Sequence, residues 1–279
     1  MSLIAPPARP LLGLAIALSL AGCAATAARS TAVETRLPPR SAGYLDKASV
    51  PASVDLVPAP PAAGSAGFAL DEQVSREARA LRGTPRFAQA TRDADTSFPA
   101  AANHFSCAID LDVDAQRTPA LYRLLERSHH DTGAAVSGAK KQYQRQRPFM
   151  VNGEPTCTPA DEHWLRRNGS YPSGHTSLGW AWALILAEAV PGRADAIIER
   201  GRNYGESRLV CNVHWQSDVL EGRFMGAATV AKLHGTVEFQ RDLAAARGEI
   251  AAAHKAGAHS SRDCAAEETV LKIRPASAL

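Results

Sequence analysis

Three short stretches of the chain carry residue types that could hold an anion and move a phosphoryl group. The first is Lys140-Lys141-Gln142-Tyr143-Gln144-Arg145-Gln146-Arg147-Pro148. Lys140 and Arg147 stand seven residues apart, within roughly 20° of two full turns if the segment is helical. Lys141 would then point away from Arg147. Pro148 pushes Arg147 out of helical geometry, so the predicted helix stops there with the guanidinium at its edge. Arginine grips an anion through two parallel N–H groups and lysine as a point charge, so the pair suits a phosphate.

The second stretch is Gly169-Ser170-Tyr171-Pro172-Ser173-Gly174-His175-Thr176, leading into an apolar run. Glycine lets backbone approach a ligand closely. Free amides at a helix start attract an anion, and the helix dipole adds to that attraction. Ser173 can donate its hydroxyl, and His175 can serve as an acid or a base. The third stretch is Ser207-Arg208 followed by His214-Trp215-Gln216-Ser217-Asp218. His214 and Asp218 are four apart, close enough to touch on a helix. A carboxylate on one imidazole nitrogen fixes the tautomer and frees the other to attack or accept a proton.

The elements that must position these residues read as helices. Leu178, Trp182, Ile185, Leu186 and Ala189 recur at three and four, which predicts a helix over Thr176–Val190 ended by Pro191-Gly192. Further helices are predicted over Asp71–Leu81, with Asp71-Glu72 at its N-terminus, from Pro119 to Leu125, from Ala194 to about Tyr204, and over Val219–Leu233. Alternating strand patterns are scarce, so the predicted fold class is all-α, a single helical domain.

Hydrophobic residues make up 45% of the 279, enough for a sizeable core. A mean hydropathy of −0.19 excludes a protein of many membrane spans. Net charge is only +3 and aromatics are 6%, which speaks against nucleic acid as a partner. The N-terminus has Arg9, an apolar run from Leu11 to Gly22, and then Cys23. That pattern fits a signal peptide, and Leu20-Ala21-Gly22-Cys23 resembles the bacterial lipobox, whose cysteine is acylated. The expected division is a leader over 1–22, an Ala/Pro-rich tether over 23–61, the domain over 62–257 and a loosely held polar tail over 258–279. The expected location is the periplasm, anchored through Cys23, or secreted if Cys23 is not acylated. Cys107, Cys157, Cys211 and Cys264 can form two disulfides there. Their pairing is left open, as is assembly into a homo-oligomer.

Lys140-x6-Arg147-Pro148, Pro172-Ser173-Gly174-His175 and Ser207-Arg208-x5-His214-x3-Asp218, in that order, resemble the signature shared by type 2 phosphatidic acid phosphatases and vanadium haloperoxidases. The longer stretch Gly169–Thr176 is similar to the mark of bacterial class A non-specific acid phosphatases. The resemblance runs from about Val54 to Arg247. It implies a helical-bundle fold and hydrolysis of a broad range of phosphomonoesters, with phosphotransfer as a side activity. It also implies His214 as a nucleophile that forms a phosphohistidine, Asp218 holding it, and His175 protonating the leaving group. Lys140, Arg147, Ser173, Gly174 and Arg208 would cradle the phosphoryl oxygens. No metal or cofactor is implied, because three cations supply the charge. The same pocket in a vanadate-dependent haloperoxidase is the alternative.

Other phosphatase chemistries fit less well. Asp110 and Asp112 mimic an aspartyl-nucleophile motif, but that fold needs alternating strands. With Asp114 they also mimic a calcium loop, but Ala115 and Leu121 stand where its glycine and glutamate belong. His129-His130 is read as surface. The Thr176–Val190 helix is too short to span a bilayer.

Overall fold

The computed structural model describes Ser2, residues 42–98 and residues 100–279. Cys23 and nearly all of the predicted leader lie outside the described residues. Thirteen α-helices occur among the described residues, and no strand. They are α1 (Ser53–Leu56), α2 (Ala66–Arg79), α3 (Pro85–Asp93), α4 (Ser106–Ile109), α5 (Pro119–Ala135), α6 (Ser137–Tyr143) and α7 (Pro148–Asn152). After them come α8 (Glu162–Leu165), α9 (Gly174–Ala189), α10 (Ala194–Val210), α11 (Gln216–Leu233), α12 (Val237–Lys255) and α13 (Cys264–Leu271). The fold is all-α.

Helix α9 is the centre. Ten of its sixteen residues are buried, as expected of a helix that is apolar on every side. It packs against α5, α10, α11 and α12. Trp182, fully buried, donates its indole N–H to the Leu125 carbonyl and the Ser128 hydroxyl of α5. No helix among the described residues is long and apolar enough to cross a membrane.

Small residues let α10 and α11 approach the first turns of α9, where the second motif lies. A Cβ on Gly222 of α11 would meet the Ser173 carbonyl at 2.7 Å and Thr176 Cβ at 2.8 Å. A Cβ on Gly205 of α10 would meet Thr176 Cγ2 at 2.7 Å. Real Cβ atoms do not approach so closely, so both helices can sit where they do only because these positions are glycine.

Several boundaries differ from the sequence expectation. Helix α2 begins five residues before Asp71, which lies mid-helix and is 1% exposed. Its carboxylate serves a buried network rather than a helix end. Helix α10 runs on to Val210, so it carries Arg208 itself. The predicted tether is ordered well before residue 62: the Tyr44 and Leu45 amides donate to the Asp131 carboxylate, and α1 packs on α6. A few anchors in the Ala/Pro-rich stretch achieve this, which composition alone conceals. The predicted polar tail is likewise folded on. Disulfide Cys107–Cys264 fixes α13, and Arg274 pairs with buried Glu206. Residues 42–279 therefore belong to one compact unit.

Candidate active site

The lysine–arginine stretch is not one helix. α6 ends at Tyr143, Gln144 takes φ 42° as its left-handed cap, and Arg147 is extended at φ −80°, ψ 155°. Pro148 starts α7, so the pre-proline constraint on Arg147 operates as expected while the helix stops three residues earlier. Lys140 and Arg147 converge by a different route. Lys140 Nζ donates to the carbonyls of Gly169 and Ser170 at 2.8 and 3.3 Å. Arg147 Nη2 reaches the same Gly169 carbonyl at 3.4 Å, and its other nitrogens donate to the carbonyls of Leu165, Asn168 and Val213. Gly169 permits this crossing, because a Cβ there would lie 2.6 Å from the Lys140 carbonyl oxygen.

Ser173 is the N-cap of α9, its Oγ accepting from the Thr176 amide at 3.3 Å. Gly174 and His175 follow at the first two helical positions, where backbone amides have no intrahelical acceptor. His175 Nε2 lies 2.8 Å from the Ala94 carbonyl. A carbonyl can only accept, so Nε2 carries the proton and Nδ1 is the free nitrogen. The ring stacks on Tyr204, with centroids 6.3 Å apart.

His214 is not on a helix. It lies just before α11, and its amide and that of Val213 both donate to the Arg208 carbonyl, at 3.3 and 3.2 Å. Asp218, in the first turn of α11, accepts the Trp215 amide at 2.9 Å and His214 Nδ1 at 3.1 Å through the same oxygen, Oδ2. The carboxylate thus caps the helix and orients the imidazole at once. On the other side of the ring, Arg147 Nη1 lies 3.1 Å from His214 Nε2. A guanidinium can only donate and a carboxylate can only accept, so Nδ1 bears the proton and Nε2 the lone pair. Disulfide Cys157–Cys211 and the Asn152–Asn212 side-chain pair brace the turn that carries His214.

These groups surround one cavity of about 200 Å³, whose wall includes Lys140, Arg147, Gly174, His175, Arg208 and His214. Ser173 and Asp218, both 0% exposed, stand behind it. The outer wall adds Thr96, His129, Thr132 and Trp164. His129 is therefore a cavity residue, while His130 is exposed as predicted. Arg145 and Asp71 complete the surroundings as a layer behind Asp218 that no motif includes. No local spacing signals them, because Arg145 meets Asp218 and Asp71 across 73 and 74 residues of chain.

The electrostatics of the cavity follow from burial among like charges. Burial, and then Arg147, push Lys140 down to about 7, with Asp218 opposing. Burial lowers Arg147 and Arg208 each to about 10. Burial, Arg147, Lys140, Arg208 and Arg145 hold His214 well below its ordinary value, which favours the neutral ring. His175 is also pushed well down by burial, then by Arg208, against the pull of the Ala94 carbonyl. A cavity that raises the cost of its own cations is built for an anion.

Comparison with known proteins agrees with this geometry. The PAP2 superfamily signature matches residues 131–241, which contain all eight predicted site residues. The chain is 42% identical over 209 residues to the non-specific acid phosphatase of Providencia stuartii, covering 75% of this chain and 84% of that one. It is 40% identical over 204 residues to an acid phosphatase of Zymomonas mobilis, covering 73% and 77%. It is also 40% identical over 195 residues to the non-specific acid phosphatase of Salmonella typhimurium, covering 70% and 78%. Identity of 40–42% over more than two thirds of both chains shows that this chain belongs to the PAP2 superfamily, among the non-specific acid phosphatases.

Proposed function

We propose that the enzyme hydrolyses a broad range of phosphate monoesters through a phosphohistidine on His214. The observation that carries this reading is the imidazole itself, its Nδ1 proton on Asp218 and its Nε2 lone pair at the cavity. A phosphoryl group held by Lys140, Arg147, Arg208 and the amides at the start of α9 takes the place beside Nε2 that Arg147 now fills. The Nε2 lone pair forms the N–P bond as the P–O bond to the leaving group breaks. His175 gives that oxygen its Nδ1 proton, then takes one from the water that cleaves the N–P bond and releases phosphate. Charge spreads over three phosphoryl oxygens in the transition state, and fixed cations stabilise it there. An alcohol in place of water gives phosphotransfer.

The pH dependence follows from the ionisations. His175 must be charged to act as an acid, yet burial and Arg208 favour its neutral form. The incoming phosphoryl charge offsets Arg208 and Arg147, so His175 takes up its proton in the complex. This condition is lost as pH rises and the neutrality of His214 as pH falls, which gives a bell-shaped profile with its optimum on the acidic side of neutral. Acidity also keeps Lys140 charged.

Phosphate release from a chromogenic monoester tests the proposal, with excess EDTA, with vanadate and in His214→Ala. Expected are activity resistant to EDTA, inhibition by vanadate, a radiolabelled phosphohistidine on quenching, and a loss on the order of 10⁴ or more in His214→Ala. Full activity in that variant removes the mechanism, and peroxide-dependent halide oxidation without phosphate release favours the haloperoxidase alternative. Export and anchoring through an acylated Cys23 belong to the same proposal. They are supported by Leu20-Ala21-Gly22-Cys23 and by two disulfides suited to an oxidising compartment. Fractionation of a Cys23→Ala variant tests them, with release from the membrane expected.

A further inference from the structure

Behind the His214–Asp218 pair lies a second pair of opposite charges. Arg145, in the connection between α6 and α7, donates from Nη1 to Asp218 Oδ1 at 2.6 Å and to the Ser217 hydroxyl at 2.7 Å. Its Nη2 donates to Asp71 Oδ2 at 2.7 Å. Asp71, on α2, also accepts the Ser217 amide and the Ser217 hydroxyl, each at 2.7 Å. The Arg145 side chain is 8% exposed and that of Asp71 1%.

We propose that Arg145 and Asp71 are positioning residues for the nucleophilic imidazole, holding Asp218 in line with His214 Nδ1 while leaving its negative charge available to the ring. The inference rests on the reading of His214 as nucleophile and adds two residues to it.

The argument begins with how Asp218 uses its oxygens. Oδ2 serves the ring and the Trp215 amide, and Oδ1 serves Arg145. With Oδ1 pinned, the carboxyl plane cannot rotate about its Cβ–Cγ bond and carry Oδ2 off Nδ1. A pair tying α2 to this stretch would need only Arg145 and Asp71. Instead the guanidinium is divided between two carboxylates, so one cation braces both. Charge balance supplies the second half of the argument. During attack the imidazole gains positive charge, and Asp218 must answer it across the Nδ1–H bond. Arg145 alone would draw that negative charge away. Asp71 compensates Arg145 and returns it. Ser217, bonded to Asp71 through both amide and hydroxyl, fixes the first turn of α11 that carries Asp218.

The charged groups facing His214 are Asp218 at Nδ1, Arg147 at Nε2, and Lys140, Arg208, His175 and Arg145 around them. Changes to Arg145 and Asp71 therefore act with opposite sign on the proton affinity of the ring. Removing Arg145 removes a repelling cation, so protonation becomes easier and the acid limb of kcat/KM moves to higher pH. Removing the charge of Asp71 leaves Arg145 uncompensated, so the limb moves to lower pH. Each shift is expected to be on the order of half to one pH unit.

The test uses the full chain carrying Asp71→Asn, Arg145→Met, Arg145→Lys and, as a separate control, His214→Ala. Profiles of kcat/KM with one monoester cancel the substrate's own ionisation, and thermal melts report folding. Expected are losses of about tenfold to hundredfold in kcat at nearly unchanged KM for Asp71→Asn and Arg145→Met, opposite limb shifts, and recovery of most of kcat in Arg145→Lys. Limbs that stay put or move together in folded variants overturn the proposal, as does unchanged kcat. If Arg145→Met does not fold, the direction of the Asp71→Asn shift decides alone. Turnover retained in His214→Ala brings down the nucleophile reading and this inference with it. A dead His214→Ala beside a wild-type-like Asp71→Asn brings down the inference only.

Discussion

Arg200 and Arg208 lie just over two turns apart on α10, at 2% and 3% exposure, and their surroundings are opposites. Arg200 grips Asp93 through both terminal nitrogens, the closer at 2.5 Å, with Glu267 at 3.4 Å. Burial would lower its ionisation, but Asp93 and Glu267 outweigh burial and raise it. Arg208 has no ion pair among the described residues, its Nε has no hydrogen-bond partner, and burial brings it down to about 10. The other two cavity cations, Lys140 and Arg147, are held chiefly by backbone carbonyls. A carboxylate neutralises a cation, whereas a carbonyl aims it and leaves its charge to act on a ligand. Arg200 therefore holds the fold together, and the three cavity cations keep their charge free for an anion at some cost in stability.

The strongest way to break this contrast is to remove each arginine in turn. Arg208→Met should lose activity on the order of 10³-fold, the scale of a lost transition-state cation, with stability unchanged or raised. Arg200→Met should lose about 3–5 kcal/mol of stability, because it leaves buried Asp93 without its guanidinium and Glu267 with Arg262 alone. Turnover per folded molecule should stay close to wild type. Denaturant melts beside kcat measurements check both halves. Comparable destabilisation by the two variants would mean that Arg208 has a counter-charge after all.

A smaller effect should appear in the pH dependence of stability. The folded, empty enzyme holds Lys140 at about 7 against an ordinary 10.5. Between these values the unfolded chain binds more protons, so the Lys140 contribution improves as pH rises through the window and its full cost is present below it. Lys140→Met should therefore be more stable than wild type at pH 6 without ligand. Saturating phosphate should narrow that difference, since binding to the native state at a hundred times Kd contributes about 2.7 kcal/mol in wild type. Unfolding curves at pH 6 and 9, with and without phosphate, check the sign. A wild type that is the more stable without phosphate at pH 6 would contradict it.

How much of this was legible before any coordinates were known depends on whether the information is local. The α9 helix was, because Leu178, Trp182, Ile185, Leu186 and Ala189 repeat with the helical period and are all buried. The six cavity residues were named from local spacing and family resemblance, and the structure gathers them around one hollow. The reason given for Lys140 and Arg147 did not hold, since Gln144 in the left-handed conformation ends α6 between them. Their convergence depends on the Gly169 carbonyl, which no reading of one segment can place. Asp71 looks like a helix-end charge in the sequence because its partner Arg145 is 74 residues away. His129 looks like a surface residue in the sequence, and only the packing shows that it lines the cavity. Residues 258–279 look polar and loose, yet their order comes from a disulfide to Cys107 and a salt bridge to Glu206. Periodicity reports the face of an element, and only packing reports its neighbours.

The mildest probe sets two glycines against each other. A Cβ on Gly174 would meet Val136 Cγ2 at 3.6 Å and Lys140 Cε at 3.9 Å, both ordinary contacts. The protein itself therefore does not require glycine there, and alanine should favour the helix by up to about 1 kcal/mol. Gly174 lines the cavity beside Lys140, so the added methyl takes up ligand space. Gly174→Ala should fold as well as wild type while KM and the inhibition constant of inorganic phosphate rise about fivefold, the equivalent of roughly 1 kcal/mol. Gly222→Ala should do the reverse. Its Cβ would collide with the Ser173 carbonyl and Thr176, separating α9 from α11 at a cost of about 1–3 kcal/mol. Phosphate affinity measured beside the melting temperature for both variants separates room kept for the ligand from room kept for the fold. Loss of stability without loss of affinity in Gly174→Ala would place that glycine on the scaffold side of the division.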